Sequence, residues 1–214
     1  LGRSDPAETA DLVAQCGTKF CWIDSQLNSP AALAQGVARA RERLQRIDIL
    51  INNAGTIRRA AALEFSEADW DAVNDINLKA AFFLAQAVAR EWVATGVRGK
   101  IINIVSMLAF QGGVRTASYT ASKSGLLGIT RLLCNEWAAL GINVNAIAPG
   151  YFATRNTELL RADPLRNLAI LERIPAGHWG QPSDLGGAAV FLASPASDYV
   201  HGAVLPVDGG WLAR

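Results

Sequence analysis

Cysteine, excess charge of one sign and long apolar runs are all scarce in this chain. Only three cysteines occur in 214 residues, none in a Cys-x-x-Cys pair, which favours reduced thiols in a cytosolic protein over a disulfide framework. The 20 Lys and Arg residues nearly balance the 19 Asp and Glu residues, so no nucleic-acid partner is implied. No apolar run could span a bilayer, no secretion signal opens the chain, and no His, Cys and Asp spacing suggests a metal. These absences predict a cytoplasmic protein that binds no membrane and no metal.

The glycines show another gap, because no two of the 19 are separated by a single residue. Gly-x-Gly turns hold nucleotide phosphates at the start of a helix in many α/β proteins. The chain also begins at Leu1 and has Met107 as its only methionine, so it uses another start residue or is a fragment. We expect the first strand, the glycine-rich turn and the first helix of such a fold to be missing from this chain.

Half of the residues are apolar, which fits one globular domain over residues 1–214 with a full core. Strand-like and helix-like segments alternate, which predicts an α/β fold with a doubly wound parallel sheet, Rossmann-like and three-layered. The predicted strands are 19–23, 47–52, 100–106, 142–147 and 203–207, after a strand stub at 1–3. The predicted helices are 5–16, 29–46, 69–95, 118–140 and 182–192, with irregular structure and short helices at 154–180.

Polar and small residues follow several of the predicted strands. Right-handed crossovers place the carboxyl ends of all strands at one edge, where open α/β sheets bind ligands. The residues that fall at such ends are Asp24, residues 52–55, Ser106 and residues 149–150. Their convergence predicts a single site at this edge.

Tyr119 and Lys123 are the most informative pair, because their spacing places both side chains on one face of a helix. A free tyrosine has a pKa of about 10, and a nearby ammonium group lowers it, which makes the phenol a usable general acid and base. The preceding apolar run ends at Ser106, so a strand-end hydroxyl can face this tyrosine. Taken alone, Tyr-x-x-x-Lys is also common on solvated helix faces, and Ser106 is more often a strand-end cap.

At these residues the chain resembles the short-chain dehydrogenase/reductase family. Four further motifs carry the resemblance independently: Asn52-Asn53-Ala54-Gly55, Asn77, Asn145 to Pro149-Gly150 with Thr154, and Val207-Asp208-Gly209-Gly210. Their order and spacing match the family from residue 1 to residue 214.

The resemblance implies an NAD(P)-dependent dehydrogenase or reductase whose catalytic residues are Asn77, Ser106, Tyr119 and Lys123. Tyr119 would exchange a proton with the substrate oxygen, which Ser106 polarises. Lys123 would lower the pKa of Tyr119 and touch the nicotinamide ribose, while Asn77 bends its helix and holds a water. The implied cofactor-binding residues are Asp24, Asn53, Ala54, Gly55, Tyr119, Lys123, Pro149, Gly150 and Thr154. A helix cap is an equal alternative for Asp24, and residues 208–210 are expected to form a structural turn.

More particular stretches resemble the 2-dehydro-3-deoxy-D-gluconate 5-dehydrogenases, also called 2-deoxy-D-gluconate 3-dehydrogenases. These stretches are 53–59, 106–113, 174–180, 197–200 and 207–214. The resemblance implies NAD(H) as cofactor and a keto or hydroxy sugar acid as substrate. A guanidinium group matches a carboxylate, which makes Arg58, Arg59 and Arg155 candidate substrate residues, and Gln111 can bond a sugar hydroxyl. Surface solubility is the alternative for each arginine.

Three questions stay open in the sequence. NADP is the alternative cofactor, because Arg3, close to the strand stub, can pair with its extra phosphate. The alternative activity is another carbonyl reductase of the family, of the 3-oxoacyl or sugar-alcohol type, or the chain is a truncated, non-catalytic member. The family's usual contact between two long helices implies a homotetramer or homodimer.

Overall fold

The computed structural model describes residues 6–214, and in these residues four parallel strands form one sheet in the order β1-β2-β3-β4. The strands are β1 (Ile49–Asn52), β2 (Gly99–Ile104), β3 (Ile142–Pro149) and β4 (Val204–Val207). Seven consecutive residues of β3 are buried, as expected for a parallel strand that helices cover on both faces. The predicted Rossmann-like α/β fold is confirmed. The predicted strand stub at 1–3, with Arg3, lies outside the described residues.

Helices connect the strands and pack on the sheet. Their bounds are α1 (Ala7–Gln15), α2 (Pro30–Leu44), α3 (Glu67–Asn74), α4 (Ala80–Thr95), α5 (Ala117–Trp137), α6 (Glu158–Ala162), α7 (Pro164–Leu171) and α8 (Gly186–Ala193). The short helices α6 and α7 lie in the segment 154–180, where short helices were predicted. Across residues 6–214, no helix has both the length and the apolar character that a bilayer crossing requires.

The predicted strand at 19–23 is wrong, because the structure forms no strand there. A strand needs a neighbour that completes its hydrogen-bond ladder. The segment lies against α2: Arg43 donates to the carbonyl of Trp22 at 3.3 Å, and Arg39 donates to that of Asp24 at 2.8 Å. The apolar pattern of this segment therefore reflects packing beside a helix.

The helix predicted over 69–95 is divided in two. A π-helical turn, Asp75–Lys79, separates α3 from α4 and contains the buried Asn77. Wide turns of this kind occur frequently at functional sites. The other predicted long helix, 118–140, is α5 followed by a tight turn, Ala138–Leu140, that ends at Gly141 with φ of 81°.

One side of the sheet is anchored by Trp92 of α4, which is 1% exposed. Its indole nitrogen donates a 2.6 Å hydrogen bond to the carbonyl of Ile47, just before β1. Its ring lies over Gly99 at the start of β2, where an added Cβ atom would come within 2.3 Å of the ring. The missing side chain at residue 99 thus makes room for the indole.

A buried chain of polar side chains joins β1 and β2 to α5. Asn52 donates through Nδ2 to Oδ1 of Asn103 at 2.9 Å, and Asn103 donates through its own Nδ2 to the hydroxyl of Thr130, also at 2.9 Å. The Thr130 hydroxyl donates to the carbonyl of Leu126 at 2.8 Å. Because buried polar groups are costly unless they are paired, this chain fixes α5 against the two strands.

Candidate active site

The carboxyl ends of the four strands meet at one edge, as the sequence predicted. The parallel register pairs Asn52 with Asn103, and Pro149 with Val207. Consequently the loops that follow β1, β2 and β3 all leave from this edge. Gly150 is packed so closely on Asp208 that an added Cβ atom would lie 2.6 Å from the Asp208 Cα atom.

Ser106 and Tyr119 come together at this edge. Ser106 follows β2 in an extended conformation and is only 7% exposed. Its hydroxyl accepts a 3.2 Å hydrogen bond from the backbone N–H of Leu108, and the Ser106 side chain lowers the pKa of the half-buried Tyr119. Tyr119 lies in the first turn of α5. The predicted pairing of a strand-end serine with the tyrosine of the next helix is present in the structure.

Lys123 lies one turn after Tyr119 and is 4% exposed. Its ammonium group donates a 2.6 Å hydrogen bond to the carbonyl of Ile104 at the end of β2, and it lies 5.8 Å from the centre of the Tyr119 ring. Burial lowers the pKa of Lys123 from 10.5 to about 8. An ammonium group has three N–H donors, so two remain for a ligand beside the one that Ile104 receives within residues 6–214.

The prediction that the pKa of Tyr119 is lowered is wrong. Burial raises the pKa of Tyr119, because the phenolate loses hydration, and this effect outweighs the hydrogen bond from Ser106 and the positive charge of Arg59 that lower it. Lys123 is not among the groups that lower it. Its ammonium group donates to the Ile104 carbonyl and lies 5.8 Å from the centre of the Tyr119 ring.

Asn77 in the π turn is 1% exposed and holds the loop after β1. Its Oδ1 accepts from the backbone N–H of Thr56 at 2.8 Å, and its Nδ2 donates to the Thr56 carbonyl at 2.9 Å and to the Ser122 hydroxyl at 3.1 Å. Thr56 directly follows the Asn53-Ala54-Gly55 segment, so Asn77 fixes the position of that segment. The predicted interruption of the helix at Asn77 is present, and its role in holding a water stays a prediction.

Gly55 is the point where the loop after β1 approaches the catalytic residues. A Cβ atom at this position would lie 3.3 Å from Oδ1 of Asn77 and 3.7 Å from Nζ of Lys123. The absent side chain leaves this space open beside the Lys123 ammonium group, and the residues Asn53, Ala54 and Gly55 are exposed. A small, open backbone segment next to a buried ammonium group fits a ribose hydroxyl of a dinucleotide.

Three other predicted cofactor-binding residues lie around the same edge. Pro149 and Gly150 are half-buried at the end of β3, and Thr154 is exposed ahead of the turn Arg155–Thr157. Asp24 is exposed and forms an isolated β-bridge directly after the segment that is not a strand, and its role toward a cofactor stays a prediction. In residues 208–210, the Asp208 carboxylate accepts from two backbone N–H groups, those of Gly210 and Leu212, as expected for a structural turn.

The candidate substrate residues differ in their contacts. Arg59 donates a 3.3 Å hydrogen bond to the carbonyl of Asn156, and its charge reaches Tyr119. Arg58 forms a 3.3 Å ion pair with Asp69 instead. Arg155 is exposed, and Gln111 is half-buried. Of the three arginines, only Arg59 lowers the pKa of Tyr119 in the described residues.

Sequence reasoning missed two groups of this site. Ser122 lies inside the Tyr-x-x-x-Lys interval, fully buried, and bonds both Asn77 and the carbonyl of Tyr119. The backbone carbonyl of Ile104 holds Lys123. The spacing of Ser122, three residues after Tyr119 on a helix, was a visible signal, whereas a backbone carbonyl leaves no mark in a sequence.

The arrangement brings a polarised phenol, a serine hydroxyl and a buried amine to one open edge. Such a set can move a proton to or from a substrate oxygen while Ser106 stabilises charge on that oxygen. In the described part of the chain, no group of three or more His, Cys, Asp or Glu side chains is placed to hold a metal ion.

Comparisons with known proteins agree with this geometry. The family model described as enoyl-(acyl carrier protein) reductase matches residues 1–212. The 2-dehydro-3-deoxy-D-gluconate 5-dehydrogenase of Escherichia coli K12 is 58% identical over 98% of this chain and 83% of its own length. The enzyme of the same name from Bacillus subtilis 168 is 52% identical over 99% of this chain and 82% of its own length.

A solved structure gives the same result. The crystal structure of a putative 2-deoxy-D-gluconate 3-dehydrogenase from Agrobacterium tumefaciens, with bound NADP, superposes with a TM-score of 0.94. It is 58% identical, and the match covers 99% of this chain and 84% of that one. With a parallel sheet, the Ser106, Tyr119 and Lys123 cluster at its carboxyl edge, and relatives matched over nearly the whole chain, the protein belongs to the short-chain dehydrogenase/reductase family of oxidoreductases.

Proposed function

We propose that the protein interconverts a keto sugar acid and its hydroxy form with NAD(H), the substrate being 2-dehydro-3-deoxy-D-gluconate or 2-deoxy-D-gluconate. The observation that carries the proposal is an arginine beside the catalytic phenol: the charge of Arg59 lowers the pKa of Tyr119. A guanidinium group whose charge reaches the phenol suits a substrate that carries a carboxylate near its carbonyl group. The names of the relatives point to the same class of substrate.

The residues of the site divide the work of the reaction. Bound nicotinamide supplies or accepts the hydride. Tyr119 donates a proton to the carbonyl oxygen in reduction and removes it from the hydroxyl in oxidation, and Ser106 donates a hydrogen bond to the same oxygen. Lys123 offers its two remaining N–H donors to the ribose.

The raised pKa of Tyr119 has a consequence for the direction of reaction. The phenol stays protonated at neutral pH and can supply the proton that reduction of a carbonyl group requires, although burial also makes it a weaker acid. In oxidation the phenolate is required, and the hydrogen bond from Ser106 and the positive charge of Arg59 stabilise it. Ser106 and Arg59 therefore assist the oxidation direction, in which burial of the phenolate is unfavourable.

Substrate contacts are assigned to Arg59 first. Within residues 6–214, the side chains of Arg155 and Gln111 form no hydrogen bond. Arg155 remains a candidate for binding the carboxylate, and Gln111 for binding a sugar hydroxyl. Arg58 is the weakest candidate, because binding a substrate would require it to leave Asp69.

NAD is the proposed cofactor, with NADP as the alternative. The subfamily resemblance supports NAD, whereas the Agrobacterium relative was crystallised with NADP. Asn53, Ala54, Gly55 and Lys123 would lie along the dinucleotide, with Pro149, Gly150 and Thr154 near its nicotinamide end.

The protein is also proposed to form a homotetramer or homodimer through α4 and α5. An open groove of about 530 Å³ runs between these helices and is lined partly by apolar side chains, among them Phe82, Val93 and Leu132. Val93 of α4 is 53% exposed and Leu132 of α5 is 44% exposed, although both side chains are apolar. Apolar surface of this kind is often covered in an assembly.

The test is a substrate panel assayed with the purified protein in both directions. It contains 2-dehydro-3-deoxy-D-gluconate, 2-deoxy-D-gluconate, D-gluconate, the uncharged 2-deoxy-D-glucose and a 3-oxoacyl thioester, each with NAD(H) and with NADP(H). We expect the highest kcat/KM for one of the first two with NAD(H), and little activity on the uncharged sugar. A preference for the thioester or for uncharged sugars would replace the proposed substrate class, and a preference for NADP(H) would replace the cofactor.

A further inference from the structure

Ser122 occupies a buried position between the two residues that define the catalytic helix. It is 0% exposed, three residues after Tyr119 and one before Lys123. Its hydroxyl donates a 2.9 Å hydrogen bond to the carbonyl of Tyr119. A bond of this kind, from a serine to the carbonyl one turn earlier, is common in helices and by itself has only a local effect.

The same hydroxyl has a second bond that leaves the helix. It accepts from Nδ2 of Asn77 at 3.1 Å. Nδ2 has two hydrogens, and the other one donates to the Thr56 carbonyl, so both are used. Removing the Ser122 hydroxyl would therefore leave a buried amide hydrogen of Asn77 without its partner.

The helix α5 and the π turn are in direct contact beside this hydrogen bond. Gly125, one turn further along α5, faces Leu78 of the π turn, and an added Cβ atom there would lie 3.0 Å from Cδ2 of Leu78. No water could intervene at such a contact, so the two elements meet directly. Ser122 lies between this contact and Tyr119.

A neighbouring serine, Ser118, serves as a comparison for Ser122. Ser118 lies one turn before Ser122 on the same helix face and is also 0% exposed. Its hydroxyl has no hydrogen-bond partner in residues 6–214. The two serines thus differ in their contacts and share their burial and helix.

We propose that Ser122 is a positioning residue of the catalytic site: it joins the turn of α5 that carries Tyr119 to Asn77, and through Asn77 to the loop of Thr56 after β1. The link sets the position of the phenol relative to the segment Asn53-Ala54-Gly55. The inference rests on the proposed proton transfer by Tyr119, and it adds a residue that acts through others and touches no reacting atom.

The test compares Ser122→Ala with Ser118→Ala in the intact protein. We expect Ser122→Ala to lower kcat about tenfold, the effect of one lost hydrogen bond with its partner left buried, while the KM for the cofactor changes less than about twofold. Ser118→Ala should leave both constants unchanged. Ser122→Thr keeps the hydroxyl and should retain a higher kcat than Ser122→Ala.

Two readouts separate this role from a general loss of stability. First, the effect of Ser122→Ala on kcat should largely disappear in an Asn77→Ala background, because the two residues act through one bond. Second, the backbone N–H of Thr56 is held by Asn77, so its hydrogen exchange should speed up in Ser122→Ala and not in Ser118→Ala. The second measurement needs no substrate, so it stands even if the proposed function fails.

Several results would overturn the inference. These are an unchanged kcat in Ser122→Ala, equal kcat values for the Ala and Thr variants, a full additional loss in the Asn77→Ala background, or unchanged exchange at Thr56. By contrast, a parent protein that is inactive on the whole substrate panel would overturn the proposed function and leave the exchange experiment to decide on Ser122.

Discussion

Arg59 donates a 3.3 Å hydrogen bond to the backbone carbonyl of Asn156, which is 97 residues further along the chain. The bond spans the carboxyl edge of the sheet, from the loop after β1 to the segment after β3. The charge of the same side chain lowers the pKa of Tyr119. One guanidinium group therefore joins two walls of the site and lowers the pKa of the residue proposed to move the proton.

Arg59→Gln should weaken binding of sugar acids and change the pH dependence. Loss of a charge-assisted hydrogen bond is expected to raise the KM of a sugar acid about tenfold to 100-fold, with less effect on an uncharged sugar. Because a positive charge that lowers the pKa of Tyr119 is removed, the rise of the oxidation rate with pH should move to higher pH. Steady-state kinetics over a pH series measure both effects.

The control is Arg46→Gln, at the opposite end of β1, where Arg46 pairs with Asp48 on the surface. It should leave the KM and the pH profile unchanged. If Arg59→Gln behaves like this control, Arg59 neither binds the carboxylate nor influences Tyr119.

Tyr119→Phe should abolish turnover and leave cofactor binding nearly intact. The phenol moves a proton, which is worth about 100-fold to 10,000-fold in rate, and contributes little to holding a dinucleotide. Activity assays and cofactor titration by tryptophan fluorescence measure the two effects separately. Tyr199→Phe is the matched control, because Tyr199 is 99% exposed. Near-parental turnover in Tyr119→Phe would remove the central assignment.

Lys123 should make the stability of the ligand-free protein depend on pH. Its pKa is lowered from 10.5 to about 8 in the folded state, so between about pH 8 and 10.5 the unfolded chain holds a proton that the folded chain has released. The unfolded state binds more protons in this window, and the free energy of unfolding therefore rises with pH there. Relative to Lys123→Met, the parent should gain about 1 kcal/mol between pH 8 and pH 9.

Urea unfolding of the ligand-free proteins at each pH measures this difference. Lys79→Met is the control, since Lys79 forms a partly exposed ion pair with Asp75. The free energy of unfolding of this variant should differ from that of the parent by a constant amount over the same pH range. Parallel pH curves for the parent and Lys123→Met would show that Lys123 keeps an ordinary pKa.

Val93→Asp should convert the protein to a smaller species. A charge placed in the groove between α4 and α5 must be desolvated in a subunit contact, which is costly without a partner charge. Sedimentation velocity at micromolar concentration compares this variant with the parent. Leu12→Asp, at an exposed apolar position on α1, should leave the sedimentation coefficient unchanged. A parent that sediments as a monomer would overturn the proposed assembly.

Residue spacing was sufficient to predict the catalytic helix and the edge of the sheet. Tyr119 and Lys123 are one helical turn apart, so periodicity places them on one face, and Ser106 follows a buried strand that leads to this helix; their joint role was predicted from the family resemblance. The pKa of Tyr119 could not be predicted in this way, because it depends on burial and on where Nζ of Lys123 points. Spacing fixes the face of a helix and leaves the end of a long side chain undetermined.

The strand predicted at 19–23 failed for a related reason. Apolar composition predicts that a segment is partly buried, whereas a strand also requires a neighbour with free backbone groups. Within this part of the chain only Asp24, just past the predicted range, forms a β-bridge, while two arginines of α2 bind the carbonyl groups of Trp22 and Asp24, which no local pattern reveals. In the same way, Ser122 reads as an ordinary small helix residue until its contact with Asn77 is seen.

The packing of Trp92 on Gly99 restricts how the sequence can diverge. A Cβ atom at residue 99 would come within 2.3 Å of the indole ring, so any side chain there requires a smaller residue at position 92. A smaller residue would in turn give up the 2.6 Å bond to the carbonyl of Ile47. In an alignment of close homologues, positions 92 and 99 should therefore change together: tryptophan should occur with glycine, and chains with a larger residue at 99 should carry a compact one at 92.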